Sequence, residues 1–146
     1  MERKTQKKYI YDGLGFPIEL YNVEFVKVRG EWVAKIDVRN IALKAMRDLA
    51  FQDTRLTGNQ VRFIREYFQM SLRQFAKVVH QSHTAIDKWE KFGNKATNMD
   101  SNIEVVLRLH IYHEVCTKTQ KQKSNFYKAY EKISSIDLSK QHMASA

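Results

Sequence analysis

The chain has 146 residues, a formal net charge of +9 at neutral pH and one cysteine. This length can bury a hydrophobic core, so one domain, or one domain with a small appendage, is expected. The charge favours a polyanionic partner, either nucleic acid or an acidic membrane surface. The single cysteine, Cys116, excludes an intramolecular disulfide and a multi-cysteine zinc site. Without a membrane-length apolar run or a signal-peptide pattern, we expect a cytoplasmic protein with no membrane partner.

Residues 1–55 predict a basic arm, a β-hairpin and one helix. Residues 1–8 are polar and basic, which indicates a flexible arm. Ile18–Arg29 and Trp32–Ile36 are rich in β-branched and aromatic residues and flank a glycine-containing break, so they predict a hairpin within an N-terminal segment of residues 9–55. Val38–Phe51 follows with a helical apolar stripe made of Ile41, Ala42, Ala45, Met46 and Leu49.

Residues 56–115 predict a helical domain whose segments begin at capping residues. Thr57-Gly58-Asn59-Gln60 has the form of a capping box, and Ser71–Gln74 and Ser101–Glu104 repeat it. Ser82 is a further N-cap. The predicted helices are Thr57–Gln69, Ser71–Val79, Ser82–Lys91 and Ser101–Val115, and residues 116–146 add a C-terminal helix near Ser124–Ile133 and a frayed tail from Asp137. The expected fold class is mainly α with a small N-terminal β-hairpin (α+β), a four- to five-helix bundle.

The two central helices have the spacing of a helix-turn-helix. The apolar stripe of the first is Leu72, Phe75, Ala76 and Val79, and after a three-residue turn Ile86 and Trp89 begin another. Helices this close in sequence cannot be coaxial, so they must cross steeply. That geometry lets the second helix enter a DNA major groove.

Four residues on the second helix are candidates for reading base edges: His83, Thr84, Asp87 and Lys88. They are expected on the exposed side, opposite the apolar stripe. Lys88 can donate to guanine O6 and N7, Thr84 can contact a thymine methyl group, and His83 can donate to a purine N7. Candidates for holding phosphates are Ser71 and Ser82 at helix starts and Arg73 and Lys77 on the polar side of the preceding helix. For each of these residues, the alternative interpretation is a position on an ordinary solvated helix face with no role in binding.

Trp89 and Glu90 are each predicted to make a contact that stabilises the fold. The bulk of Trp89 is expected in the core, where it would fix the second helix to its neighbours. A charge beside the core needs a partner, and Arg65 is the best candidate for Glu90. We therefore predict an Arg65–Glu90 ion pair that sets the helix orientation.

Metal and enzyme chemistry have little support in the sequence. His110, His113 and Cys116 recur every three residues, but a helix aligns only the first two closely and no fourth ligand is evident. Helix-surface or dimer-contact roles are the better interpretation. The chain has no glycine-rich phosphate loop, no nucleophile motif and no paired carboxylates, so we expect no catalytic residue, no metal and no cofactor.

Four segments together resemble the phage-repressor-type helix-turn-helix family, often called Xre: Leu56–Gly58, Arg62–Arg65, Ser71–Ala76 and Lys88–Glu90. Within it, the Trp-Glu pair resembles antitoxins of the HigA and MqsA kind. The resemblance implies a homodimer on an inverted-repeat operator in double-stranded DNA, which represses its own operon and neutralises a co-encoded toxin. It also implies a positive φ at His80. The family's phosphate-binding glutamine falls at Leu72, so Gln74 or Arg73 would take that role.

Two alternatives to an autorepressing antitoxin stay open. One is a stand-alone repressor of the same type with no toxin partner. The other is a module that acts chiefly through protein interaction, with the hairpin and the basic arm holding the partner.

Overall fold

The computed structural model describes residues 2–116 and 126–136. The strands are β1 (Arg3–Tyr11), β2 (Ile18–Val28) and β3 (Glu31–Ala34). The helices are α1 (Val38–Phe51), α2 (Gly58–Tyr67), α3 (Leu72–Val78), α4 (His83–Glu90), α5 (Ser101–Cys116) and α6 (Phe126–Ser134). The α+β class is confirmed, with a third strand beyond the predicted hairpin and with six helices in the described residues. The predicted tail from Asp137 lies outside them. None of the described helices is long and apolar enough to cross a membrane.

The chain divides into two compact units, residues up to Ala42 and residues from Leu43 onward. The boundary therefore falls inside α1 rather than before Leu56, where the sequence predicted it. The buried residues of α1 all lie beyond this boundary and are Ala45, Met46, Leu49 and Ala50.

The first unit contains an antiparallel sheet with the strand order β1-β2-β3. Val28 pairs with Glu31, which leaves Arg29 and Gly30 as a two-residue loop. Their φ angles are 51° and 83°. Two positive φ angles are what a type I′ hairpin turn requires, because its twist matches that of the flanking strands.

The flexible arm predicted for residues 1–8 is wrong, because Arg3–Tyr11 forms β1. The register pairs Lys4 with Phe25 and Lys8 with Tyr21. Charged side chains gave no apolar alternation from which to predict a strand, and backbone bonds to β2 supply the pairing instead. Exposed ion pairs from Arg3 and Lys8 to glutamates on β2 add small contributions.

Asn22 interrupts the alternation of β2 with a φ of 56°. Before it, Ile18 and Leu20 are the half-buried positions, and after it Val23 and Phe25 are buried. Asn tolerates the left-handed region better than most residues. The strand therefore keeps its apolar side chains on one face although their spacing in the sequence changes.

In the second unit, α2 and α3 are joined by a short connection. After the C-cap Phe68, Gln69 has a φ of 55° and its N–H donates to the Glu66 carbonyl at 3.0 Å. The Met70 N–H donates to the Arg65 carbonyl at 3.1 Å. These two bonds form a Schellman motif, with glutamine where glycine is usual. Ser71, the next residue, caps α3.

The connection from α3 to α4 has the same design. His80 has a φ of 55°, and its N–H donates to the Lys77 carbonyl at 3.4 Å. The Gln81 N–H donates to the Ala76 carbonyl at 2.9 Å, and Ser82 then caps α4. The positive φ expected at His80 is present. After its C-cap, each connection thus has three residues: one left-handed, one closing the previous helix and one serine starting the next.

Two of the three predicted capping boxes are present, at Thr57–Gln60 and Ser71–Gln74. The third, at Ser101–Glu104, was wrong. Asp100 accepts from the Asn102 N–H at 2.9 Å instead. The Glu104 side chain is fully buried and bound elsewhere.

Glu104 lies in a buried ion cluster with Arg55 and Arg108, all three side chains having no exposed surface. Arg108 Nη2 is 2.7 Å from Glu104 Oε2, and Arg55 Nε is 3.4 Å from Oε1. Arg108 also donates to the carbonyls of Gln52 and Thr54. Burial lowers the pKa of Arg108, and the Glu104 charge opposes that effect. The cluster ties the α1–α2 connector to α5.

Candidate nucleic-acid interface

Helix α4 has one buried face and one exposed face. Ile86 has no exposed surface and Trp89 keeps 6%. At the start of the helix, Ser82 Oγ accepts from the Ala85 N–H at 3.1 Å. His83 and Thr84 are exposed in the first turn. Trp89 is in the core, as the sequence indicated.

The four candidate base-reading residues divide into two stripes, each with i, i+4 spacing. Thr84 and Lys88 are exposed and line an open groove of about 670 Å³ beside α4. His83 and Asp87 do not line it. Asp87 is half-buried, and its Oδ2 lies 3.0 Å from Lys91 Nζ. Thr84 and Lys88 therefore form the more accessible pair, and Asp87 is already engaged within the helix.

The loop before α5 and the start of that helix also line this groove, through Asn98, Asp100 and Ile103. These residues could not be predicted as part of the site, because the loop carries no motif and its position depends on how α5 packs. Asn98 can donate and accept hydrogen bonds beside Thr84 and Lys88.

The candidate phosphate-binding residues at the start of α3 also stabilise the helix itself. Ser71 Oγ accepts from the Gln74 N–H at 3.2 Å, and Gln74 Oε1 accepts from the Ser71 N–H at 2.8 Å. Gln74 keeps its amide N–H groups as donors, and Ser71 keeps its hydroxyl hydrogen. Arg73 and Lys77 are exposed on the same helix. All four can contact a phosphate.

The predicted Arg65–Glu90 ion pair is present and joins α2 to α4. Arg65 Nε donates to Glu90 Oε2 at 2.7 Å and Nη2 donates to Oε1 at 3.0 Å, which makes the pair bidentate. Arg65 Nη1 also donates to the Met70 carbonyl at 3.1 Å. The hydrogen bonds that Arg65 donates to Glu90 raise the pKa of Arg65.

Gly58 is a positioning residue that the sequence did not reveal beyond its place in the capping box. A Cβ built on it would lie 2.5 Å from the Trp89 carbonyl oxygen and 2.7 Å from the Gly93 nitrogen. Its N–H donates to the Lys95 carbonyl at 3.2 Å, and the Asn59 N–H donates to the Gly93 carbonyl at 2.8 Å. The start of α2 therefore packs directly on the end of α4.

The segment that carries these residues is basic. Between residues 71 and 95 there are five Lys or Arg side chains and two acids, Asp87 and Glu90. Glu90 is neutralised by Arg65 and Asp87 by Lys91. The charge that this segment leaves on its exposed side is positive, which suits a polyanion, and Asp100 adds one carboxylate to the groove.

Comparisons with protein-family models, curated proteins and solved structures find no match. The interpretation of this surface therefore rests on its own residues.

The metal site considered for His110, His113 and Cys116 has no counterpart among the described residues. Within residues 2–116 and 126–136, no three His, Cys, Asp or Glu side chains are grouped as metal ligands. The His110 ring packs edge-on against Phe68 at 5.5 Å, and burial lowers the pKa of His110. Burial also raises the pKa of the Cys116 thiol.

Proposed function

We propose that the protein is a sequence-specific regulator of transcription that binds double-stranded DNA, with α4 as the helix that enters the major groove. In this role α3 and α4 act as a helix-turn-helix. The observation that carries the proposal is the division of α4: Ile86 and Trp89 are buried, whereas His83, Thr84 and Lys88 are exposed.

The dimensions suit this role. With its side chains an α-helix is about 10–12 Å across, which fits the width of about 12 Å of the major groove, and α4 has eight residues. Thr84 and Lys88 are one turn apart, so both can reach base edges within one half-site. Their hydroxyl and ammonium groups suit a thymine or adenine contact and a guanine contact respectively.

The helix is held firmly enough for reading sequence. The bidentate Arg65–Glu90 bond limits rotation of α4 about its axis, and Gly58 allows the backbones of α2 and α4 to touch. A displacement of the helix would separate the side chains from the base edges, so these contacts support specificity without touching DNA.

Affinity would come mainly from phosphates. Arg73, Lys77 and the donors of Ser71 and Gln74 lie on or next to α3, the helix expected to face the backbone. Each phosphate neutralised releases counterions, so binding should weaken steeply as salt rises.

One recognition helix reads few base pairs, so we propose a homodimer on an inverted repeat. Two copies of α4 would then enter successive major grooves about 34 Å apart. Selection of bound duplexes from random DNA by the full chain tests this. Enrichment of two half-sites with opposite orientation, about 10 base pairs apart, is expected. Recovery of random sequences only, or binding of single strands in preference to duplex, would contradict it.

The antitoxin role with its co-encoded toxin rests on the family resemblance and remains a prediction. A stable complex on co-expression with the product of the adjacent gene is the expected result. Sequence-selective DNA binding without such a complex would favour the stand-alone repressor.

A further inference from the structure

We propose that the outer edge of β1 binds an extended acidic segment of a partner protein, which pairs with it as a fourth strand of the sheet. The surface belongs to the first compact unit. The proposal does not depend on the DNA-binding role.

The edge is defined by the hydrogen-bonding pattern of the sheet. Among the described residues, β2 is the one strand paired with β1. The Lys27 N–H donates to the Glu2 carbonyl at 3.1 Å, and Lys4 pairs with Phe25 in the same register. Since alternate residues of an antiparallel strand bond to its neighbour, the backbone groups of Arg3 and Thr5 point away from β2. Such a row of donors and acceptors can pair with another strand.

The side chains of β1 indicate which residues the partner strand should contain. β1 reads Arg-Lys-Thr-Gln-Lys-Lys-Tyr-Ile-Tyr, with four cations and no acid in its first six residues and an apolar end. Ile10 is 50% exposed. Because side chains directly opposite each other on neighbouring strands interact, acidic residues fit opposite Arg3–Lys8 and apolar residues fit opposite Tyr9–Tyr11.

Three of the four cations of β1 are available to a partner, whereas Lys4 lies over the Trp32 ring, 4.5 Å from its centroid. Arg3 pairs with Glu24 and Lys8 with Glu19, but these side chains are between 37% and 64% exposed, so the pairs are weak. Lys7 is exposed at the middle of the strand. An acidic strand can engage these side chains at small cost to the sheet.

The same cations disfavour a second copy of the chain as the occupant. Two β1 strands side by side would bring eight cations together with no acid on either strand, and like charges opposite each other are destabilising. Lysines on an edge strand are a common protection against such self-pairing. Strand addition by an acidic segment avoids that repulsion and gains backbone hydrogen bonds.

The test uses the full chain and a fluorescein-labelled peptide, Val-Tyr-Val-Glu-Glu-Thr-Thr-Glu-Glu, built to lie antiparallel to β1. A control peptide carries Lys in place of each Glu. We expect the acidic peptide to bind at least about tenfold more tightly than the basic one at low salt. It should also slow hydrogen exchange at the amides of Arg3 and Thr5.

Thr5→Pro removes an outward N–H that β2 does not use, a position where an edge strand tolerates proline. We expect it to weaken binding of the acidic peptide about tenfold, the equivalent of one or two hydrogen bonds. Thr5→Val keeps the N–H and should keep binding. If Thr5→Pro unfolds the sheet by circular dichroism, Lys7→Glu replaces it and should weaken the same peptide severalfold.

Equal binding of both peptides, or no binding of either, would overturn the proposal. So would unchanged affinity in the Thr5→Pro and Lys7→Glu variants. Self-association that Thr5→Pro abolishes would identify a second copy of the chain as the occupant instead. Retained DNA binding in Thr5→Pro separates this result from the proposed function.

Discussion

Arg65 and Glu90 form a two-point ion pair between α2 and α4, with atom separations of 2.7 and 3.0 Å. The side chains keep 16% and 11% of their surface exposed. The pair is therefore largely removed from water, where loss of one partner leaves a poorly solvated charge.

We expect Glu90→Ala to lower the free energy of unfolding by about 2 kcal/mol, because Arg65 would lose its counter-charge while keeping its bond to Met70. The matched control is Glu66→Ala, which breaks the exposed Arg62–Glu66 pair and should cost about 0.5 kcal/mol. Urea denaturation of Glu90→Ala, Arg65→Ala and the double variant measures the coupling energy of the pair, and Glu66→Ala is measured beside them. Equal losses in the two single glutamate variants would refute a structural role for the pair.

Gly58→Ala should destabilise the protein by about 2 kcal/mol, because the new methyl group would meet backbone atoms of Trp89, Glu90 and Gly93 that cannot move independently. Gly93→Ala offers the complementary case: its Cβ meets nothing within 4 Å, but its φ is 62°. That variant should lose about 1 kcal/mol through backbone strain alone. Thermal melts measure the stabilities of the two variants. A Gly58→Ala protein as stable as wild type would show that α2 and α4 can separate freely.

Lys88→Ala and Lys77→Ala should have different effects on DNA binding. Lys88→Ala is expected to narrow the affinity gap between the selected duplex and a scrambled one by about 1–3 kcal/mol. Lys77→Ala should weaken both complexes alike and reduce the salt slope by about one. Lys44→Ala, at an exposed lysine of α1, is the control. Fluorescence anisotropy over a salt series checks this, and equal losses on both duplexes for both variants would refute the assignment.

His80→Gly should raise the free energy of unfolding by about 1 kcal/mol, since glycine adopts a φ of 55° without strain. His80→Val should lower it by at least as much, because a β-branched residue is strongly disfavoured there. The midpoints of urea denaturation compare the stabilities of the two variants with that of the wild type. The reverse order of stability would mean that the imidazole makes a compensating contact.

The pH dependence of stability should include a contribution from His110. Its Nε2 is buried without a hydrogen-bond partner, and burial lowers the pKa of His110. The unfolded state then takes up the proton first, so this contribution is complete above the ordinary histidine pKa and is lost as pH falls towards the lower folded value. His110→Phe should reduce the loss of melting temperature between pH 7.5 and 5.5. The control is His83→Ala at an exposed imidazole; the same pH profile in both variants would refute the effect.

The helices could be predicted from the sequence because their signals are local. Thr57, Ser71 and Ser82 each precede a helix whose apolar stripe begins within one turn. An ion-pair partner for Glu90 could be predicted because an unpaired charge next to a buried tryptophan is energetically costly.

The other features of the fold and of the site depend on contacts between residues that are distant in sequence. Arg55 and Glu104 are far apart along the chain, so neither could be identified as buried, and Glu104 also fitted a capping box. The strand character of Arg3–Tyr11 comes from β2, not from its own composition. Asn98 reaches the groove beside α4 through the packing of α5, which no local pattern specifies.

The repeated connection, a left-handed residue followed by a closing amide and a capping serine, has a kinetic consequence. Residues Gly58–Glu90 can turn two corners through hydrogen bonds between residues at most five positions apart. Bonds of such short range close small loops at little entropic cost, and chains rich in them fold quickly. We therefore expect this stretch to assemble before the ion cluster of Arg55, Glu104 and Arg108, whose segments are distant in sequence.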